Sequence, residues 1–198
     1  SAEPSFALWK LGRMAANSNE LTSIFNAGLS DLDVRLRQSD IAQEFIEHFD
    51  NFLNVFGSRG PNEWETACET WGTNPASVLT LIDRMRLTDE QNSPSVRSQE
   101  LSKKREEATR NARKELKGLG SWLFEKALHS SILFSQARER SKTTIVDLIH
   151  VARLITRELA IRTAEQRNNA ELIDLWFILE NELDEFIDLS LIHISEPT

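Results

Sequence analysis

Ile41, Phe45, Phe49, Phe52 and Phe56 recur at steps of four, four, three and four, with Ile46 and Leu53 beside them, and this pattern constrains the chain most. A period near 3.6 gives a helix one apolar face, which must be buried against other helices. The punctuation of the chain agrees: the prolines and most of the glycines sit where a helix should start or stop, because proline lacks an N–H and glycine tolerates the turn that ends a helix. Pro4 opens a stripe at Leu8, Leu11 and Ala15, and Glu20 to Asn26 repeats it with Leu21, Ile24 and Phe25 before Gly28. Asn74-Pro75 and Ser93-Pro94 each place an N-cap ahead of proline at the first helical position. No period-two alternation is long enough to build a sheet. The predicted fold is all-α: a multi-helix domain with one long ordered loop, 57–74, and a long polar helical arm from Pro94 to about Lys117.

The helix opened by Pro75 should face its core with Val78, Leu81, Ile82 and Met85, whereas the arm has only a thin stripe at Leu101, Ala108, Ala112 and Leu116. Gly118 and Gly120 mark a turn or kink. After it, Trp122, Leu123, Phe124, Leu128, Ile132 and Leu133 are apolar nearly all round and are expected to be buried. A further helix from Ala137 to about Gln166 should turn Ile145, Leu148, Ile149, Ala152, Ile155 and Leu159 inward. The stretch Glu171 to Asp188 joins an apolar run, Leu175 to Leu179, to an acidic end. Residues 189–198, LSLIHISEPT, are what one frame of a common tagmentation adapter would encode, so they are read as a non-native tail and His193 carries no meaning.

The 198 residues suffice for one domain with a real core, and 40% apolar content with 27% charged residues is globular in character. A net charge of -8 disfavours nucleic acid, whose binding relies on clustered Lys and Arg. Cys68 is the single cysteine, which excludes an internal disulfide or a cysteine-rich zinc site and fits a reducing compartment. With no run of about 18 apolar residues and no signal-peptide pattern, no membrane partner is expected and the chain reads as cytoplasmic.

Self-contained catalysis finds no support. Neither phosphate-cradling glycine motif occurs, nor H-E-x-x-H, a Cys-His metal spacing or a G-x-S-x-G elbow. His48, His129 and His150 read as ordinary helix-face histidines. Two places carry more information. In Phe56-Gly57-Ser58-Arg59-Gly60-Pro61-Asn62-Glu63-Trp64-Glu65, flanking Gly and Pro fix Arg59 and Glu63, either as an ion pair that ties down the loop or as a binding pair. In Ala137-Arg138-Glu139-Arg140-Ser141-Lys142, Arg138 and Lys142 share a helical face that continues into Ile145 and Ile149. Either their stems pack and the heads reach solvent, or acidic groups or an anionic ligand meet them.

These strings, FGSRGPNEWE with Trp71 to Pro75 and the later ARERSK, together resemble the central helical region of PEP-utilising phosphotransferases, the group of phosphoenolpyruvate synthase-like proteins and rifamycin phosphotransferases. Leu8 to Phe25 and Trp176 to Leu183 look like the same region. The resemblance implies a parent in which an ATP-grasp domain precedes this region and a swivelling phosphohistidine domain follows it, both absent from this sequence. Such a parent moves a phosphoryl group from ATP, with Mg, through the histidine to a small-molecule acceptor and releases AMP and phosphate; no cofactor is expected in the segment itself.

Carried over by that resemblance, the R-E-x-[ST]-K pattern falls on Arg138, Glu139, Ser141 and Lys142. Its Arg and Lys would face the phosphohistidine and the acceptor hydroxyl, while Arg59 and Glu63 would be the substrate-loop pair, all four converging on one concavity. Relatives often have His before the loop arginine; this chain has Ser58, so no imidazole chemistry is carried over there. Residues 1–188 are thus expected to be the acceptor-binding helical domain of a larger chain, inactive alone. The alternative is a non-catalytic domain that binds a protein partner through the acidic end and the arm.

Overall fold

The computed structural model describes residues 3–167. Over that range the chain forms α1 (Glu3–Asn17), α2 (Asn19–Asn26), α3 (Leu32–Arg37), α4 (Gln43–Phe56), α5 (Pro75–Arg86), α6 (Pro94–Glu115) and α7 (Leu119–Arg167), and no strand. The fold is all-α. The expected apolar run at Leu175 to Leu179 and the tail 189–198 lie outside the described residues. Two compact units divide the described residues: 3–60 with Thr70–Thr143, and Pro61–Glu69 with 144–167.

The first unit holds the phenylalanine stripe. Phe45, Phe49 and Phe52 of α4 are buried with Leu8 and Leu11 of α1, Phe25 of α2 and Ile82 of α5. Phe45 meets Phe25 edge-on at 5.8 Å between centroids and stacks on Phe49 at 6.2 Å. Ile41, expected on the same stripe, is 63% exposed. The α-helix starts only at Gln43, after a 3-10 turn over Asp40–Ala42. With three residues per turn rather than 3.6, that turn shifts the register and brings Ala42 inward instead. Unforeseen in the sequence is α3, whose six residues are too few to display a period, although Leu32 and Leu36, one turn apart, are fully buried.

Both N-caps form as expected: Asn74 Oδ1 accepts from Ser77 N–H at 3.3 Å, and Ser93 Oγ accepts from Val96 N–H at 3.3 Å. The arm, α6, has no buried residue. It meets α7 through Arg113, whose Nε donates to Glu125 Oε1 at 2.6 Å.

Helices α1 and α5 cross closely. A Cβ on Gly12 would stand 2.7 Å from Met85 Cβ and 3.0 Å from the backbone N of Arg86. Next to it, Arg13 stacks over Trp9 at 4.5 Å, and its Nη2 donates to the carbonyls of Met85 (2.6 Å) and Arg86 (2.7 Å). These carbonyls end α5, beyond its regular hydrogen-bond ladder; Met85 O also accepts from Thr88 N–H at 3.3 Å, and a cation is favoured at this end of a helix. Gly12→Ala gains about 1 kcal/mol of helix propensity, but the clash is with backbone and with a stem-level Cβ that cannot swing away. Overpacking of this kind costs about 1–3 kcal/mol. A net loss of stability is expected, read as a lower denaturant midpoint at unchanged slope.

Three expectations for α7 fail. The break before Ala137 is absent, since neither Gly nor Pro occurs between Gly120 and Arg167, and one helix of 49 residues results. The apolar positions after Gly120 are not buried all round: Trp122 is 57% exposed, and Leu123, Ile132 and Leu133 are also exposed. A single helix packs along one face, and here that is the row of half-buried Gly120, Phe124 and Leu128 at steps of four. In the second unit the inward face is not that of Ile145, Leu148 and Ile155, which are exposed. It is made by Val146, Arg153 and Ala160, seven residues apart and buried. Val146 follows Ile145 directly, a rotation of about 100° at 3.6 residues per turn.

Candidate functional site

In the first unit the long loop is closed at its base. Gly72 N–H donates to Gly57 O at 2.8 Å and Trp71 N–H donates to Arg59 O at 2.8 Å. The two glycines let the two sides of the neck approach closely: a Cβ on Gly57 would lie 3.2 Å from Gly72 Cα and one on Gly72 would lie 3.1 Å from Gly57 O. Trp71 packs on Phe52 at 5.5 Å, which ties the neck to the phenylalanine core, and Ser58 and Thr70 are buried within it.

Arg59 therefore leaves a fixed backbone. Its Nη2 donates to Thr143 Oγ1 at 3.2 Å, and that hydroxyl donates in turn to the Glu139 carbonyl at 3.0 Å. Loop and helix thus meet at the C-terminal end of the Arg138 to Lys142 segment, through a threonine the sequence reading passed over. Lys142, adjacent to Thr143, is half-buried. Arg138 differs from the expectation of an inward-facing cation: its side chain is 78% exposed and its Nη2 lies 3.1 Å from Glu139 Oε1. Exposure avoids the desolvation cost of a buried charge, and a surface pair of this kind contributes at most about 1 kcal/mol.

Glu63 belongs to the second unit, with the loop tip Pro61–Glu69. The tip turns through Asn62 at φ 54°, with Glu65 N–H donating to Asn62 O at 2.9 Å and Cys68 N–H to Glu65 O at 3.1 Å. Glu63 is half-buried. Beneath it is a residue the sequence reading missed. Arg153 is 0% exposed, and its Nη2 donates to the carbonyls of Glu63 (2.9 Å) and Glu65 (2.8 Å). The available signal was the seven-residue spacing of Val146, Arg153 and Ala160, obscured by a more apolar stripe one residue away.

His150 Nδ1 lies 3.3 Å from Arg153 Nη1. A guanidinium can only donate, so Nδ1 must accept and the ring must be neutral with its proton on Nε2. Burial lowers the His150 pKa, Arg153 adds to this, and Asp147 opposes it. The unfolded chain therefore takes up this proton first. The stability contributed by neutral His150 is present above about pH 6.5, the ordinary histidine value, and is lost as pH falls from there through the folded pKa. Thermal unfolding should show a midpoint that drops as pH falls below that value, and His150→Asn, which keeps an acceptor near the Nδ1 position, should flatten the drop.

Among the described residues no three of His, Cys, Asp and Glu gather as a metal site, and no helix is long and apolar enough to cross a membrane. Residues 1–142 match the family model described as "Rifampicin phosphotransferase fourth domain". With the all-helical fold, that match defines a phosphotransferase-related helical domain of the PEP-utilising enzymes. The chain belongs to the rifampicin phosphotransferase fourth-domain family. The matched range contains Arg59, Glu63, Arg138 and Lys142. Neither a curated protein nor a solved structure matches the chain.

Proposed function

We propose that this chain is the acceptor-binding helical region of an ATP-dependent phosphotransferase that works through a phosphohistidine, and that it is inactive alone. The observation that carries the reading is the family match over residues 1–142, which spans the loop and ends on Lys142. In this reading Arg138 and Lys142 meet the phosphoryl group as it passes to the acceptor, and Arg59 and Glu63 hold the acceptor. Phosphoryl transfer is catalysed chiefly by positioning and by cations placed on developing charge, which suits arginine and lysine one turn apart. The bond from Arg59 to Thr143 supports it by fixing the loop arginine beside Lys142. ATP and Mg belong to an ATP-grasp domain of the same chain, and the phosphohistidine to a second domain, in a cytoplasmic protein. Arg138, exposed and next to Glu139, is free to exchange that carboxylate for a phosphoryl oxygen without first breaking a buried contact.

The test uses the full-length protein and ATP labelled in its β- and γ-phosphates. Label is expected on a histidine, and its discharge to pyruvate or to an apolar hydroxylated acceptor should be accompanied by AMP. The alternative, a non-catalytic interaction domain, requires neither; a chain that forms no labelled histidine and no acceptor-dependent AMP would replace the first reading with the second.

A further inference from the structure

An arginine without exposed surface is costly to bury, because its charge leaves water and every N–H needs a partner. Arg153 meets part of that demand with peptide carbonyls. Its Nη2 is shared between Glu63 O and Glu65 O, its Nη1 faces His150 Nδ1, and its Nε is buried with no partner. The geometry serves two carbonyls that flank one residue, Trp64, whose side chain is half exposed. Backbone on both sides of Trp64 is held from below, which fixes the direction in which Glu63 and Trp64 leave the chain.

We infer that Arg153 is a positioning residue for the substrate loop: from within the second unit it clamps the loop tip by its backbone and so presents Glu63 and Trp64 to the acceptor. This deepens the acceptor-binding reading and rests on it. The clamp grips main chain, so it is indifferent to the tip's side chains, whereas a lysine in its place has one nitrogen to offer and cannot span both carbonyls with a planar fork. Trp64 supplies a rigid apolar plate and Glu63 an acceptor of hydrogen bonds, a pairing suited to an apolar molecule bearing hydroxyl groups.

The experiment compares Arg153→Met, Arg153→Lys and Glu63→Gln in the full-length protein. Three readouts are taken: ATP-dependent labelling of the histidine, KM and kcat for the acceptor, and cleavage by a glutamate-specific protease at Glu63 and Glu65. Arg153→Met should leave histidine labelling at the parent level, cleave at least about tenfold faster at the tip, and raise the acceptor KM about tenfold with a smaller change in kcat, as expected for lost hydrogen bonds to a charged group. Arg153→Lys should fall between. Cleavage at the parent rate in Arg153→Met overturns the clamp, and faster cleavage with unchanged KM overturns its function. If Glu63→Gln leaves KM unchanged while Arg153→Met raises it, Glu63 is removed from the acceptor site and the fault lies with that assignment, not with Arg153. Loss of histidine labelling in Arg153→Met would mark a general folding role and also overturn the inference.

Discussion

If the proposed function holds, alanine in place of Arg138 in the full-length protein is expected to lower turnover on the order of a hundredfold, the usual effect of removing one donor to developing transition-state charge. Histidine labelling from ATP should persist under the proposed function, which gives Arg138 a part in the acceptor step alone. The structure sharpens this expectation. The head of Arg138 is exposed and paired with its neighbour Glu139, so the substitution removes almost no packing and should leave the thermal midpoint unchanged. A large kinetic effect without a stability effect would locate Arg138 in the reaction. Unchanged turnover would remove it from the mechanism and leave Lys142 and Arg59 to carry the positive charge.

The second large effect is structural. Phe49 is fully buried and stacks on Phe45, which also meets Phe25. Truncating it to alanine removes the ring and leaves a cavity among helices that are already held by caps and crossings, so relaxation is limited. A loss of about 3–5 kcal/mol is expected, against a total of about 5–15 kcal/mol for a domain. Denaturant titration of Phe49→Ala should show it; a change below about 1 kcal/mol would mean that the neighbouring rings close the gap.

How much of this was legible depends on whether a residue's partners lie near it in sequence. The α4 stripe from Phe45 onward, the two N-caps before Pro75 and Pro94, the solvated arm and the ordered loop all follow from local period and turn chemistry, and they appear as read. Features set by distant partners did not. The inward row of α7 is Val146, Arg153 and Ala160 instead of the more apolar stripe beside it, because the loop-tip carbonyls of Glu63 and Glu65 claim an arginine there. Ile41 fell out of its stripe for a subtler reason, a single 3-10 turn ahead of Gln43. The sequence singles out Arg59, Glu63, Arg138 and Lys142 as candidates, but not Thr143, the hydroxyl through which the loop and the helix touch. A threonine inside a helix gives no signal of a bond that spans 84 residues.

The clasp made by Arg13 differs in kind from an ion pair. It joins the start of the chain to the carbonyls of Met85 and Arg86, and neither a guanidinium nor a peptide oxygen changes its protonation across the acid range. Acid that strips carboxylate partners from Arg37 or Arg113 leaves this fastening at full strength. The seam between the first and fifth helices is therefore proofed against the proton uptake that weakens the His150 contact.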